Sequence, residues 1–178
     1  MPPADHETDA KLCREARQGR KAAFTRLFEL HYSPAYAFSF RMCLDSAAAE
    51  DVVQESFIKA ARRLGDLREG VAFRAWLWQI VANGARDWHR MRQRRTALER
   101  SAAEGTAQTP SSYCDHEPVY EALAQLPREW REAVALVYFE DVSHAEAAQV
   151  LGCAETTVSW RIFRAKRKLR ELLGGQNP

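Results

Sequence analysis

The chain has little of what a catalytic or metal site is built from. Its 178 residues include only four cysteines, Cys13, Cys43, Cys114 and Cys153. None stands in a CxxC pair and no group has zinc-ligand spacing, which argues against a zinc module or a dithiol redox centre. Free, reduced thiols in a cytosolic protein are the expectation. His31, His89, His116 and His144 are scattered, and no HExxH motif occurs, so no metal site is expected. There is no Gly-rich phosphate loop and no nucleophile set beside a base, so neither an enzyme nor a cofactor is indicated. No apolar run approaches the ~20 residues of a membrane span. The N-terminus, MPPADHETDA, has no apolar h-region, so no secretory signal is read and a cytoplasmic protein is expected. The formal net charge is only +2, so bulk charge nominates no partner. Alternating strand patterns are missing, and no Asn-Gly or Asp-Gly turn joins two of them.

What is there is helical periodicity. The pattern predicts helices at about Glu7–Gln18, Lys21–Met42, Ala47–Leu64 and Ala72–Arg95, the second bent near Ser33–Pro34 because proline breaks the hydrogen-bond ladder. From Ser101 to Pro118 the composition turns to Ser, Ala, Gly, Thr and Pro, which reads as a linker. Further helices follow at about Val119–Gln125, Arg128–Phe139, His144–Leu151 and Glu155–Leu173. The expected fold is all-α, with two small helical domains, 1–96 and 119–178, joined by a flexible linker over 97–118.

Charge is distributed more tellingly than its sum. Arg86, Arg90, Arg92, Arg94 and Arg95 form one basic cluster, with Asp87 opposing, and Arg161 to Arg170 form another. Two distant basic patches suggest two contacts on one polyanion. The second patch lies on a helix-turn-helix pattern. Ser143 is an N-cap with Glu146 three residues on, completing a capping box. Gly152 supplies the tight turn. Val158, Ile162, Ala165, Leu169 and Leu172 make the apolar stripe of the second helix. Thr157, Trp160, Arg161, Arg164, Arg167 and Lys168 are left outward. Trp160 sits two residues after Val158, turned about 200° from the core stripe at 100° per residue. A cationic, aromatic face of this kind suits a DNA major groove; the plainer reading is a solvated amphipathic hairpin.

Two earlier helices carry unusual faces. Val53, Phe57, Ala60 and Leu64 form a core stripe on the third, opposite Asp51, Glu55, Ile58 and Arg62, with Gln54 beside them. Ile58 in the middle of a charged face suggests protein docking, against the plainer reading of a solvated face. On the fourth, Phe73, Leu77, Ile80, Gly84 and Trp88 make the core stripe. Gln79, Asn83, Arg86, Arg90 and Arg94 line another face, with Trp78 expected to be exposed nearby. Arginines for phosphates, an asparagine for base edges and a tryptophan for stacking point to nucleic acid.

Taken together, these segments resemble the sigma-70 family, and within it the extracytoplasmic function group. AAAEDVVQESFIKAARRL is similar to sigma region 2.2, FRAWLWQIVANGARDWHRMRQRR to regions 2.3 and 2.4, and LPREWREAVALVYFEDVSHAEAAQVLGCAETTVSWRIFRAKRKLRELL to region 4. The resemblance implies a sigma factor that binds core RNA polymerase, with an anti-sigma factor as a further partner. Asp51, Gln54, Glu55 and Ile58 fall where the family docks on the β′ clamp helices; region 4 would meet the β flap. Asn83 falls where a flipped base of the −10 element is held, and Asp66 to Val71 on the base-specificity loop. Arg86, Arg90, Arg92, Arg94 and Arg95 fall where phosphates and the fork of the opening duplex are gripped. Ser159, Trp160, Arg161 and Phe163 fall on the −35 recognition helix, with Thr156, Thr157, Arg164 and Arg167 on the same surface. Thr156 replaces the family's usual glycine, and Trp160 stands where serine is common. The alternative is a stand-alone helix-turn-helix repressor or activator.

Overall fold

The computed structural model describes residues 6–67, 72–102 and 118–174, and among them every regular element is helical. The N-terminal half contains α1 (His6–Arg17), α2 (Lys21–Cys43), α3 (Ser46–Arg63) and α4 (Phe73–Ala102). A 3₁₀ turn, Leu64–Asp66, follows α3. The C-terminal half contains α5 (Pro118–Ala124), α6 (Arg128–Val134), α7 (His144–Leu151) and α8 (Glu155–Leu173).

Helix α1 is fastened at two places. Near its start Asp9 accepts from His31 Nε2 of α2 at 3.0 Å, with both side chains buried. Near its end the Arg17 guanidinium donates to the carbonyls of Leu64, at 3.0 Å, and Leu67. Those bonds hold the turn between α3 and the segment that enters α4. Helix α2 runs on through Pro34 instead of ending there. Leu27, His31, Ala35 and Phe38 are buried on both sides of it, and this packing offsets the hydrogen bond that proline cannot make. Helix α3 starts on a cap: the Asp45 carboxylate accepts from the Ala48 N–H at 3.0 Å. Its expected stripe of Val53, Phe57, Ala60 and Leu64 is buried. Gly84 of α4 is there for proximity, since a Cβ at that position would come within 3.2 Å of Val52 Cγ1.

Two boundaries differ from the sequence reading. Helix α4 continues to Ala102, so residues 97–102 of the expected linker are helical; α5 begins at Pro118, and 103–117 lie outside the described residues. The helix expected from Arg128 to Phe139 widens after Val134 into a π turn, Ala135–Phe139. There the Glu140 N–H reaches back five residues to the Ala135 carbonyl.

The two halves touch. Helix α4 packs against α3, α2 and α7, and α2 also meets α6. Phe40 of α2 meets Tyr120 of α5 edge-on at 5.3 Å. The Arg41 guanidinium lies 4.2 Å from the centre of the Phe139 ring. Packing against three other helices widens the buried stripe of α4 beyond one amphipathic face.

Candidate nucleic-acid interface

Three surfaces carry the residues singled out from the sequence. The first is the outer face of α3. Asp51, Gln54, Glu55, Ile58 and Arg62 are all exposed there. Gln54 donates to Glu50 at 3.2 Å, and Lys59 lies 3.6 Å from Glu55. Both are exposed pairs on one helix, which contribute little. Ile58 remains 45% exposed within this mostly charged face, and nothing in the fold asks for an isoleucine there.

The second is the strip along α4. Asn83, Arg90, Arg92, Arg94 and Arg95 are exposed, as expected. Arg90 pairs with Asp87. Arg92 lies over the Trp88 ring at 5.2 Å and 3.8 Å from Asp45. Trp78 departs from its expected exposure: it is 0% exposed. Its ring stacks on Phe38 at 5.5 Å, with the Arg74 guanidinium over it at 5.6 Å. The cause is long-range packing: Phe38 of α2 covers the Trp78 ring, and Val81, Ala82 and Ala85 are buried beside the expected core residues. A buried indole offers no stacking platform to a base. Arg86 departs too. It is half-buried, and its guanidinium grips Glu132 of α6 at 3.0 and 3.2 Å while donating to Asn83 Oδ1 at 3.1 Å. Gln79 donates to the Gln149 carbonyl of α7 at 2.9 Å. The C-terminal half therefore covers the start of this strip. Of the loop Asp66 to Val71, residues 68–71 lie outside the described residues.

Glu132 and Glu140 were not apparent as functional positions in the sequence. Each is a buried carboxylate set between arginines of the other half or its own. Glu132 receives Arg86 and, at 3.4 Å, Arg128. Glu140 lies 3.3 Å from Arg41 and 3.7 Å from Arg74, whose guanidinium also donates to the Glu140 carbonyl. The available signal was a glutamate within or beside the apolar run Ala133–Phe139. Burial pushes the Glu140 carboxyl up to about 7, against the opposing pull of Arg41 and Arg74. A carboxyl with a raised folded pKa binds its proton more tightly folded than unfolded. Its contribution is most favourable below the unfolded value of 4.5 and is lost as pH rises towards about 7. Glu140→Gln is therefore expected to gain on the parent as pH rises, exceeding it at pH 8 by roughly 1–3 kcal/mol more than at pH 5. Urea unfolding at the two pH values checks this; a difference that does not change with pH contradicts it.

The third surface is α8. Its N-terminal hairpin forms as the sequence indicates. Ser143 Oγ accepts from the Glu146 N–H at 3.2 Å, the Glu146 carboxylate accepts from the Ser143 N–H at 2.9 Å, and Gly152 takes φ +66°. Val158, Ile162 and Ala165 are buried, while Leu169 is partly buried against the same core. Thr156, Ser159, Trp160, Phe163 and Arg167 are exposed; Thr157, Arg161 and Arg164 are half-buried. His144 Nδ1 lies 2.8 Å from Ser159 Oγ and ties α7 to α8. Arg161 approaches Cys153 Sγ at 3.8 Å. Trp160 is 54% exposed, meets Trp130 of α6 edge-on at 5.9 Å, and has the Arg164 guanidinium 5.7 Å from its ring centre.

Two of the thiols are buried. Burial pushes the Cys13 thiol up to about 11 and the Cys43 thiol up to about 12, far from the thiolate that reacts; Cys114 lies outside the described residues. Among the described residues no group of three or more His, Cys, Asp or Glu is placed to hold a metal ion. No described helix is long and apolar enough to cross a membrane.

Known proteins share this arrangement. The family described as Sigma-70 region 2 matches residues 27–95, and Sigma-70, region 4 matches residues 116–169. The RNA polymerase sigma-H factor of Pseudomonas aeruginosa is 32% identical, over 94% of each chain. The ECF RNA polymerase sigma factor SigM of Mycobacterium tuberculosis is 34% identical, over 97% of this chain and 88% of its own. CnrH, solved in complex with the cytosolic domain of CnrY, superposes with a TM-score of 0.74 at 30% identity, over 96% of this chain and 99% of its own. The sigma factor RpoE of Bartonella quintana, solved with the anti-sigma factor NepR, gives 0.70 at 30% identity, over 86% and 98%. With region 2 and region 4 in order on one all-helical chain, the protein belongs to the sigma-70 family of RNA polymerase sigma factors, in its extracytoplasmic function group.

Proposed function

We propose that this chain binds core RNA polymerase in the cytoplasm and directs initiation by reading two promoter elements, catalysing no reaction itself. The observation that supports this best is one chain bearing a polymerase-type face and two DNA-type faces. Asp51, Gln54, Glu55 and Ile58 of α3 meet the β′ clamp helices, and the C-terminal half meets the β flap. Asn83 holds a flipped base of the −10 element, while Arg90, Arg92, Arg94 and Arg95 grip phosphates near the opening fork. Thr156, Thr157, Ser159, Trp160, Arg161, Phe163, Arg164 and Arg167 present α8 to the −35 major groove. Capturing an unstacked base offsets the few kcal/mol that flipping it costs.

Residues 1–96 and 119–178 act in this reading as two binding parts joined through 97–118, so that neither needs high affinity alone. Arg86 joins the −10 contacts only when Glu132 releases it, so promoter engagement separates α4 from α6 and α7. The complex of RpoE with NepR supports control of this chain by an anti-sigma protein that covers the same surfaces. Copurification with core polymerase tests the proposal. A sigma factor enters the polymerase peak on gel filtration at 1:1 stoichiometry. A stand-alone repressor or activator stays outside it and binds a DNA site unaided.

A further inference from the structure

The tryptophan on the recognition helix is not a free side chain. Trp160 and Trp130 stand edge to face, with ring centroids 5.9 Å apart and planes 87° apart, the geometry that aromatic quadrupoles favour. The Arg164 guanidinium, one turn beyond Trp160 on α8, lies 5.5 Å from the centre of the Trp130 ring and 5.7 Å from that of Trp160. Its Nε is buried and has no hydrogen-bond partner, and both rings lie within reach of its cation. Trp130 itself is half-buried, on α6, outside the α7–α8 hairpin, and packed against the C-terminal core. The same end of α6 also faces Arg161. The Glu129 carboxyl is held below its ordinary range, first by its own backbone N–H and then by Arg128 and Arg161.

We infer that Trp130 is a positioning residue for promoter specificity: with Arg164 it fixes the indole of Trp160 as a preformed apolar wall facing a −35 base pair. This rests on the reading of α8 as the −35 helix. The physical case is one of order. A long exposed side chain loses rotamer freedom when it meets DNA, and that loss weakens whatever it reads. An indole already wedged between a ring edge and a guanidinium has given up that freedom on folding. It presents a fixed apolar ring to a thymine methyl, a contact that a base lacking the methyl cannot make. Arg164, held between two rings, is a spacer and not a free phosphate contact. Arg167 is exposed beyond it, with Glu171 4.0 Å away as a loose partner.

The test uses the full chain assembled with core polymerase and a promoter library randomised across the −35 element. Trp160→Ala should flatten base preference at one position by roughly threefold to tenfold, the scale of one aromatic contact. Trp130→Leu, which keeps apolar volume but removes the ring, should flatten the same position by a similar factor. Trp130→Phe should keep most of the preference. The double variant with Trp160→Ala should lose no more than Trp160→Ala alone, because coupled residues are not additive. Circular dichroism of each variant confirms that the helices remain. If Trp160→Ala flattens the profile and Trp130→Leu does not, the positioning role is wrong and the −35 reading stands. If Trp130→Leu and Trp130→Phe weaken all sequences alike, Trp130 is only a packing residue. If Trp160→Ala leaves the profile unchanged, the reading of α8 at this residue fails first.

Discussion

Replacing Ile58 with aspartate is expected to weaken binding to core RNA polymerase by roughly a hundredfold or more while leaving the helix content unchanged. The size follows from two costs that act together. Burying an isoleucine side chain at an interface contributes about 1.5–3 kcal/mol. A carboxylate in its place has to be desolvated without a partner, at a further cost of several kcal/mol. The free protein should hardly notice, because Ile58 is nearly half exposed and lies opposite the stripe of Val53, Phe57 and Ala60. Glu55→Arg is expected to act in the same direction through charge. Its only described partner is Lys59 at 3.6 Å on the same exposed face, so reversing it disturbs little inside the protein. Fluorescence anisotropy of labelled chain titrated with core polymerase reads both effects. Unchanged affinity with normal circular dichroism would remove α3 from the polymerase interface.

Asn83→Ala is expected to slow promoter opening about tenfold while changing closed-complex affinity by less than about twofold, the scale of one base contact of 1–3 kcal/mol. The partner base becomes available only after it leaves the stack, so its contact stabilises the opening step and not the docking that precedes it. Asn83 is exposed and its amide oxygen accepts from Arg86. The substitution leaves Arg86 on Glu132, so the contact between the halves should persist. Permanganate reactivity of −10 thymines, followed in time, separates the two steps. Equal melting by parent and variant would take Asn83 out of the proposed pocket.

Local patterning made much of this structure legible, and long-range packing set the limit. The start of α7 and the turn into α8 are set locally, by Ser143 with Glu146 and by the positive φ of Gly152, and both appear as read. The exposed Ile58 and Trp160 followed from helical angle alone. Trp78 failed the same reasoning because angle says nothing of how many neighbours a helix has. Phe38 of α2 stacks on the Trp78 ring, so a residue beside the core stripe became core. Arg86 looked like a free cation because Glu132 is 46 residues away, and no periodicity connects them. The π turn after Val134 was hidden for another reason: the run Ala135–Phe139 has the composition of an ordinary buried helix, and the widening shows only in its hydrogen bonds.

The most direct measurement is transcription by purified core polymerase, with and without this chain, on a library of the host's own genomic fragments, with the RNA 5′ ends sequenced. The account predicts a set of start sites that appear only with the chain, upstream of which two short motifs recur at a fixed spacing, and which vanish with Ile58→Asp. Start sites unchanged by the chain, or a single recurring motif bound equally well without polymerase, would contradict it.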